Sequence, residues 1–492
     1  MRNVVMEGAD PTGVRDNTDL LERLHRQAAK AGESVYYPNG IYRYNGEYLD
    51  LSSGIEFESI GGVILKNDIS VWNLFQHDSF GNFIGLIQNP MEKGEKELKT
   101  SPYSSGYLMD APLYDGNPRR KVDCLAWWYN DFGLECVRQN PKDNGWIGWY
   151  YWDWNHHDCL KNAMPGGCRH AYDPSRHPLL GFYKGDDPKV LDWITYWLLQ
   201  YGVNAVGLLS VVMQPFDSPV FDYEREDHKD HWLYVLLNQV KNFKKMKFVM
   251  SPEIYYPAKA GVIDWKCRNN KAYIMDLIDK TYAQHPENIY TVTVDGREYP
   301  TIFFKEEGAV MWTYDNINLN PVPSGTIALY TEIAGKFKKM GYPGVAVIAS
   351  VRDSISYLDE HPEALEGTGV VRFHGVYGGT HTCEKADTME EYVNSFHLPD
   401  VNDGRTLTGT FIDLLSHDPH GSHFTTTGHS PKLLEIYMDK AVQQIQRTGA
   451  YPAITVHNVS EWAECGPGLI PNMQDGFAYL EAIRKTVLEP ER

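Results

Sequence analysis

From about residue 120 onward, apolar runs of strand length alternate with segments of helical periodicity, and this alternation constrains the fold most. Repeated strand–helix units imply parallel strand pairing. Nearly eight units over about 370 residues favour an α/β fold of the (β/α)8 TIM barrel type over a doubly wound sheet. The predicted strands are 122–128, 203–212, 247–251, 301–304, 344–350, 370–376 and 453–457, and the helices between them include 188–201, 326–340 and 431–449.

The first segment differs from the rest of the chain. Turn residues 8–18 precede a helical pattern that Asn17 or Thr18 would cap, and a strand–turn–strand pattern follows at 35–42. This stretch resembles the opening of pectate-lyase-like right-handed β-helices, including phage tail-spike proteins, over about residues 7–66. No coil-length repeat continues beyond it. We therefore predict a small β-rich accessory module at 1–115 and a barrel domain at 116–492.

Composition excludes several classes of partner. The chain has 492 residues and a net charge of −19, which disfavours binding to nucleic acid or to anionic lipid. No apolar run approaches the roughly 20 residues that span a bilayer, and the first ten residues lack a signal-peptide core. We expect a soluble chain, either cytoplasmic or secreted or periplasmic with its leader removed. The seven cysteines allow a Cys159–Cys168 bridge or ordinary reduced thiols.

Polar residues directly after the predicted strands are the candidates for a binding site, because TIM barrels place their active sites at the carboxyl ends of the strands. They include Asn130, Glu253, Tyr255, His374, Tyr377 and Asn458. The aromatic cluster Trp127-Trp128-Tyr129-Asn130 suits the apolar face and polar rim of a sugar ring, and Trp128 is the predicted contact. The alternative is that these aromatic side chains fill the core.

The last predicted strand leads into Ser460-Glu461-Trp462-Ala463-Glu464. Glycoside cleavage needs one carboxylic acid to protonate the departing oxygen and a second carboxylate as nucleophile or base. Two like charges this close raise the pKa of one carboxyl group, which keeps it protonated near neutral pH. Trp462 would support a sugar. A Glu pair at this spacing is also common on solvated helices, but its position after a buried strand favours catalysis.

Three passages in collinear order over about 120–487 resemble glycoside hydrolase family 99, the endo-α-mannosidases, and their WbsX-like relatives. Ser-Glu-Trp-Ala-Glu at 460–464 is similar to the family's Asn-Glu-Trp-(His/Ala)-Glu motif. The passages at 172–206, which includes Tyr183, and at 285–304 are similar to two further family signatures. The resemblance implies a retaining (β/α)8 hydrolase.

By the same resemblance, Glu461 assists attack by the substrate 2-hydroxyl to give a 1,2-anhydro sugar, and Glu464 is the general acid/base. Glu253 and Tyr255 match a substrate-site element, and we add Tyr183 to the predicted substrate contacts. Ser460 and Ala463 depart from the motif of the endo-mannosidases, which puts specificity for mannose in doubt.

Two other functions remain open. The histidine-rich segment 417–429, with His417, Asp418, His420, His423 and His429, suggests a metal-dependent glycan hydrolase or deacetylase. The tail-spike-like start suggests a non-catalytic glycan-binding surface or phage protein. Our main prediction is a glycoside hydrolase with a carbohydrate substrate, no cofactor and no metal. The sequence leaves the oligomeric state open.

Overall fold

The computed structural model describes the regions from which the fold is built. They are residues 1–38, 40–45, 55–57, 62–66, 70–72, 75–86, 108–128, 180, 187–210, 232–252, 271–304, 322–350, 357–375, 406–411, 430–460, 468–471 and 475–490. The histidine-rich segment 417–429 and the Cys159–Cys168 pair lie outside them.

In the N-terminal region the chain alternates between two small parallel sheets. One sheet has the order β1-β3-β5, and the other has β2-β4-β6 with β7 added antiparallel. An antiparallel hairpin, β8–β9, follows. The elements are β1 (Arg2–Asn3), β2 (Thr12–Asp16), α1 (Thr18–Ala31), β3 (Val35–Tyr37), β4 (Gly40–Arg43), β5 (Ile55–Phe57), β6 (Gly62–Lys66), β7 (Ser70–Trp72), β8 (Phe75–His77) and β9 (Phe83–Leu86). The region is β-rich, and the domain boundary at residue 115 stays a prediction.

Helix α1 begins where the sequence predicts, but Asn17 does not cap it with its side chain. The Asn17 amide instead accepts from the Asp10 N–H at 2.8 Å and donates to the Asp10 and Arg15 carbonyls. The first helical N–H, that of Thr18, is bound by the Asp16 carboxylate at 2.9 Å. The Asn17 side chain is therefore hydrogen-bonded within the turn before the helix. The Asp16 carboxylate accepts the first N–H of the helix instead.

Parallel strands form a ring in the remainder of the chain. Pairings run in the order β12-β11-β10-β18-β17-β16-β15-β14, and Met250 of β12 pairs with Ile302 of β14 to join the two ends. The result is an α/β barrel-like fold. The strands are β10 (Asp123–Trp128), β11 (Ala205–Ser210), β12 (Lys247–Pro252), β13 (Thr291–Val294), β14 (Arg297–Phe304), β15 (Val345–Ser350), β16 (Val370–Gly375), β17 (Thr406–Phe411) and β18 (Ala453–His457).

Helices between the strands cover the outer face of this ring. Alternate strand residues pack against them, and the others form a separate interior cluster of Leu125, Trp127, Ala205, Val249, Phe303, Ala346, Ile348, Phe373 and Ala453. The helices are α2 (Pro188–Gln200), α3 (Trp232–Gln239), α4 (Lys271–Lys280), α5 (Ser324–Lys339), α6 (Tyr357–Glu360), α7 (Pro431–Thr448) and α8 (Ala478–Val487). In the part of the chain that the structure describes, no helix is both long and apolar enough to span a bilayer.

Two strands of the barrel region were not predicted. β17 completes the ring between β16 and β18, and β13 forms an antiparallel hairpin with the first half of β14. The hairpin closes the amino end of the interior, because the buried side chains of Tyr290 and Val292 join the interior cluster there. The Tyr290 hydroxyl donates to the carboxylate of Asp123, the first residue of β10, at 2.9 Å.

A buried polar cluster ties the segment before the barrel to its outer layer. The side chain of Asn242 and its backbone N–H both donate to the Asp192 carboxylate of α2, at 2.9 and 2.8 Å. The same amide donates to the Pro112 carbonyl at 2.9 Å and accepts from the Tyr114 N–H at 2.7 Å. Burial raises the pKa of Asp192, and the two Asn242 donors act against that rise.

We expect Asn242→Ala to lower the free energy of unfolding by about 2–4 kcal/mol, because it leaves buried donors and acceptors without partners. The matched control is the neighbouring Lys241→Ala. Lys241 forms an ion pair with exposed Asp110, at 3.2 Å, so about 0–1 kcal/mol should be lost. Urea denaturation followed by tryptophan fluorescence measures both. Equal losses would show that the Asn242 cluster adds nothing to stability.

Cys124 on β10 is completely buried, and burial raises the pKa of its thiol to about 12. Roughly one thiol in ten thousand is then ionised at pH 8, so we expect no alkylation of Cys124 in the folded protein. Mass spectrometry of the peptide that contains Cys124, after iodoacetamide treatment with and without urea, tests this. Rapid labelling without urea would contradict the burial.

Candidate active site

Side-chain alternation along β10 separates two neighbouring tryptophans. Trp127 belongs to the interior cluster, whereas Trp128 is completely buried in the layer between sheet and helices. There the Trp128 ring packs against Trp232 of α3, with ring centroids 5.9 Å apart. Trp128 therefore faces away from the barrel interior, because side chains one residue apart on a strand point to opposite faces, and nothing in this position supports its predicted contact with substrate.

Trp127 closes the barrel interior near the carboxyl end of the strands. Its ring lies against Phe303 of β14, with centroids 4.2 Å apart and planes tilted by 38°. On β11 the register partner is Gly207, where an added Cβ would stand 2.0 Å from Trp127 Cε3. Gly207 thus leaves room for the indole. Trp127 was missed as a candidate, and the period of two along β10 was the signal that would have distinguished it from Trp128.

The end of β18 stays buried as it leaves the ring. His457 pairs with Trp127 on one side and Phe411 on the other, and the Val459 N–H donates to the Trp127 carbonyl at 2.6 Å. The side chains of His457, Asn458 and Ser460 are all buried. Asn458 Nδ2 lies 3.4 Å from His457 Nδ1, and the peptide bond between these residues is cis.

These positions bear on two residues of the sequence analysis. Asn458 lies at the carboxyl end of β18 as predicted, and its contact with substrate stays a prediction. His457 was not among the candidates. It occupies the same face of β18 as Ala453, which belongs to the interior cluster, so alternation along this strand would have identified it.

The residues just before and just after the segment that carries the predicted catalytic pair contact each other. The Leu469 N–H lies 3.1 Å from the Asn458 carbonyl and 3.0 Å from the Val459 carbonyl. Gly468 has φ +56°, and an added Cβ there would stand 2.5 Å from the Asn458 carbonyl oxygen. The residues on either side of 461–467 are therefore held together at the carboxyl end of β18. Glu461, Trp462 and Glu464 fall in that segment, outside the described residues.

The other predicted contacts follow the carboxyl ends of ring strands in the sequence. Glu253 is the residue after β12, and His374 is the fifth of the six residues of β16, where only its backbone is described. The remaining positions outside the described residues are Asn130, Tyr183, Tyr255 and Tyr377. In the parts of the chain that the structure describes, no three His, Cys, Asp or Glu side chains come together as a metal site.

A concave surface lies at the opposite end of the ring. It is an open groove beside the segment before β10, lined by Pro118, Arg119, Glu481, Arg484, Lys485, Leu488, Glu489 and Pro490. Its charged side chains are of both signs. Catalytic groups of TIM barrels stand at the other end, so the carboxyl end of β18 remains the candidate active site.

Comparison with known proteins returns solved structures only. No protein-family model matches the chain, and no curated protein matches it. The chain is similar to the GH99 endo-α-mannosidase of Bacteroides thetaiotaomicron in complex with bis-tris-propane at 15% identity, covering 74% of this chain and 94% of that one, with a TM-score of 0.41.

Two further structures are similar at lower identity. A glycoside hydrolase-like protein is 10% identical, with 78% of this chain and 98% of that one covered and a TM-score of 0.43. An α-L-fucosidase of family GH29 from Bacteroides thetaiotaomicron is 12% identical, with 76% of each chain covered and a TM-score of 0.35.

We expect Gly468→Ala to destabilise the protein more than Gly449→Ala. Both glycines have left-handed φ angles, +56° and +70°, so each substitution costs about 1–2 kcal/mol of backbone strain. Only at 468 does the new methyl group meet backbone oxygens, which adds about 1–3 kcal/mol. Thermal unfolding of the two variants measures the difference. Equal melting temperatures would mean that the junction of 458–460 with 468–470 yields without cost.

Proposed function

We propose that this chain is a retaining glycoside hydrolase that cleaves α-linked oligosaccharides or polysaccharides, with mannose-containing glycans as the first class to test. One observation carries the proposal: the residues before and after the segment with Glu461 and Glu464 contact each other at the carboxyl end of β18, which is one strand of the parallel ring. That end is where barrel enzymes place their catalytic groups. The motif resemblance at 460–464 supports the same assignment.

The proposed reaction uses the two carboxyl groups in different protonation states. Glu464, as the acid, donates a proton to the glycosidic oxygen while the bond between that oxygen and C1 breaks. Glu461, as the carboxylate, takes the proton of the substrate 2-hydroxyl, and O2 attacks C1 to form a 1,2-anhydro sugar. Water, deprotonated by Glu464, then opens that ring at C1, and Glu461 returns its proton to O2. Two inversions at C1 give net retention.

The buried surroundings favour this division of roles. His457, Asn458 and Ser460 precede Glu461 directly, and all three are shielded from water. Shielding raises the pKa of a nearby carboxyl group, as does a second carboxylate three residues away. We propose that these two effects keep one of the two glutamates protonated near neutral pH. We propose that Trp462 supports the sugar and that Asn130, Tyr183, Glu253, Tyr255, His374, Tyr377 and Asn458 contact it.

We expect purified protein to release reducing ends from at least one α-linked glycan of a polysaccharide panel. Glu461→Gln and Glu464→Gln should each lower kcat at least about 100-fold, because each removes a group that transfers a proton. Glu363→Gln is the control, since Glu363 precedes β16 at the opposite end of the ring and is exposed. Circular dichroism confirms that the variants fold.

An activated aryl glycoside separates the two roles. Its leaving group needs no protonation, so formation of the anhydro sugar should be largely restored in Glu464→Gln and not in Glu461→Gln. Glycan binding without turnover by the wild type would instead indicate a carbohydrate-binding protein. Activity abolished by a chelator and restored by zinc would indicate a metal-dependent hydrolase.

A further inference from the structure

The Trp127 side chain is held from two directions inside the ring. Phe303 of β14 contacts one part of the indole, with centroids 4.2 Å apart. On β11, Gly207 has no side chain beside the indole. A Cβ added at this position would stand 2.0 Å from Trp127 Cε3 and 2.1 Å from Cζ3, so any larger residue would collide with the ring. Trp127 is 1% exposed. The indole is therefore confined between Phe303 and Gly207 near the carboxyl end of β10.

The backbone at Trp127 is joined in turn to both ends of the segment 461–467. Its carbonyl accepts the Val459 N–H at 2.6 Å, which is shorter than both contacts of the Leu469 N–H. The Val459 carbonyl lies 3.0 Å from the Leu469 N–H, so the returning chain is attached to the same residue. A chain of contacts thus runs from Phe303 and Gly207 through Trp127 and Val459 to Leu469.

We infer that Trp127 is a positioning residue for the catalytic carboxylates, acting through Val459. The inference rests on the proposed function of Glu461 and Glu464. A shift of the Trp127 backbone moves the points where segment 461–467 begins and ends. Proton transfer requires the carboxyl groups to stand within hydrogen-bond reach of the substrate, and a displacement of about 1 Å lowers rates by about 100-fold.

Trp128 supplies a matched control on the same strand. It is the same residue type, adjacent in sequence and equally buried, but it packs against Trp232 in the outer layer. Trp127→Phe and Trp128→Phe remove the same atoms and leave comparable cavities, so both should lower the melting temperature. A purely structural role would make their effects on catalysis alike.

We expect Trp127→Phe to lower kcat at least about tenfold with KM changed less than about threefold, because the substrate still binds while the acid pair is displaced. The pH–kcat profile should also shift, since the separation of two carboxyl groups sets their coupled pKa values. Trp128→Phe should keep kcat within about twofold of the wild type, with an unshifted profile. Equal kcat values for the two variants would overturn the inference.

Gly207→Ala tests the same contact from the other side. The added methyl group should displace the indole and lower kcat as Trp127→Phe does. In the double variant the phenyl ring lacks the benzo atoms that the methyl group meets, so the loss should be smaller than the product of the two single losses. A double variant whose loss equals that product would show that the residues act independently.

Amide hydrogen exchange tests, without any substrate, whether Trp127 holds the backbone at Val459 and Leu469 in place. Trp127→Phe and Gly207→Ala should lower the protection of the Val459 and Leu469 amides at least about tenfold, and Trp128→Phe should leave it unchanged. Unchanged protection in the first two variants would overturn the inference even if the wild type is active. An inactive wild type with the expected exchange pattern would instead contradict the proposed function alone.

Discussion

The ring of parallel strand pairing is the constraint on which the rest of the structure depends. Each strand is hydrogen-bonded to a neighbour that runs in the same direction, and the pairing of Met250 with Ile302 joins β12 to β14. Because all the strands share one direction, their carboxyl ends meet at one side of the sheet. The carboxyl ends of β10, β12, β16 and β18 therefore lie on the same side, although up to about 330 residues separate them in sequence.

Closure of the ring also divides the strand side chains into an outer layer and an interior layer. The outward residues pack against helices, as Trp128 does against Trp232, and the inward ones fill the interior. At the amino end the β13–β14 hairpin closes that interior with Tyr290. Towards the carboxyl end Trp127 and Phe303 close it, and the polar side chains of His457 and Asn458 follow. The side chains thus change from an apolar interior to a polar end, and that end is where we propose the active site.

The sequence was sufficient for much of the element order. Continuous apolar runs identified β10, β11, β12, β15 and β18, because strands buried on both faces have few polar residues. β17 reads Thr-Leu-Thr-Gly-Thr-Phe, in which apolar residues are separated by threonine and glycine, so no apolar run marked it. Its place between β16 and β18 follows from pairing with both, which is a long-range property.

Local sequence signals gave the wrong contacts where a side chain had two possible sets of neighbours. Asn17 has the residue type of a helix cap, yet its amide is bound by the turn at Asp10 and Arg15, and Asp16 binds the helix end instead. Trp127 and Trp128 are the same residue type at adjacent positions of one strand. Their difference depends on which face of β10 is turned inward, and that is set by pairing with β11 and β18.

The sequence by itself determined that buried strands alternate with helices and that the pair Glu461 and Glu464 follows the last of those strands. Only the tertiary structure decided that Trp127 faces the interior, that Gly207 makes room for its ring, and that the chain returns at Gly468 to the point it left at Ser460. The physical reason is that spacing along the chain fixes local hydrogen bonds and periodicity. Strand pairing decides which side chains of a strand face the interior, how the ring closes and which distant segments come into contact. The paired strands lie tens to hundreds of residues apart in sequence.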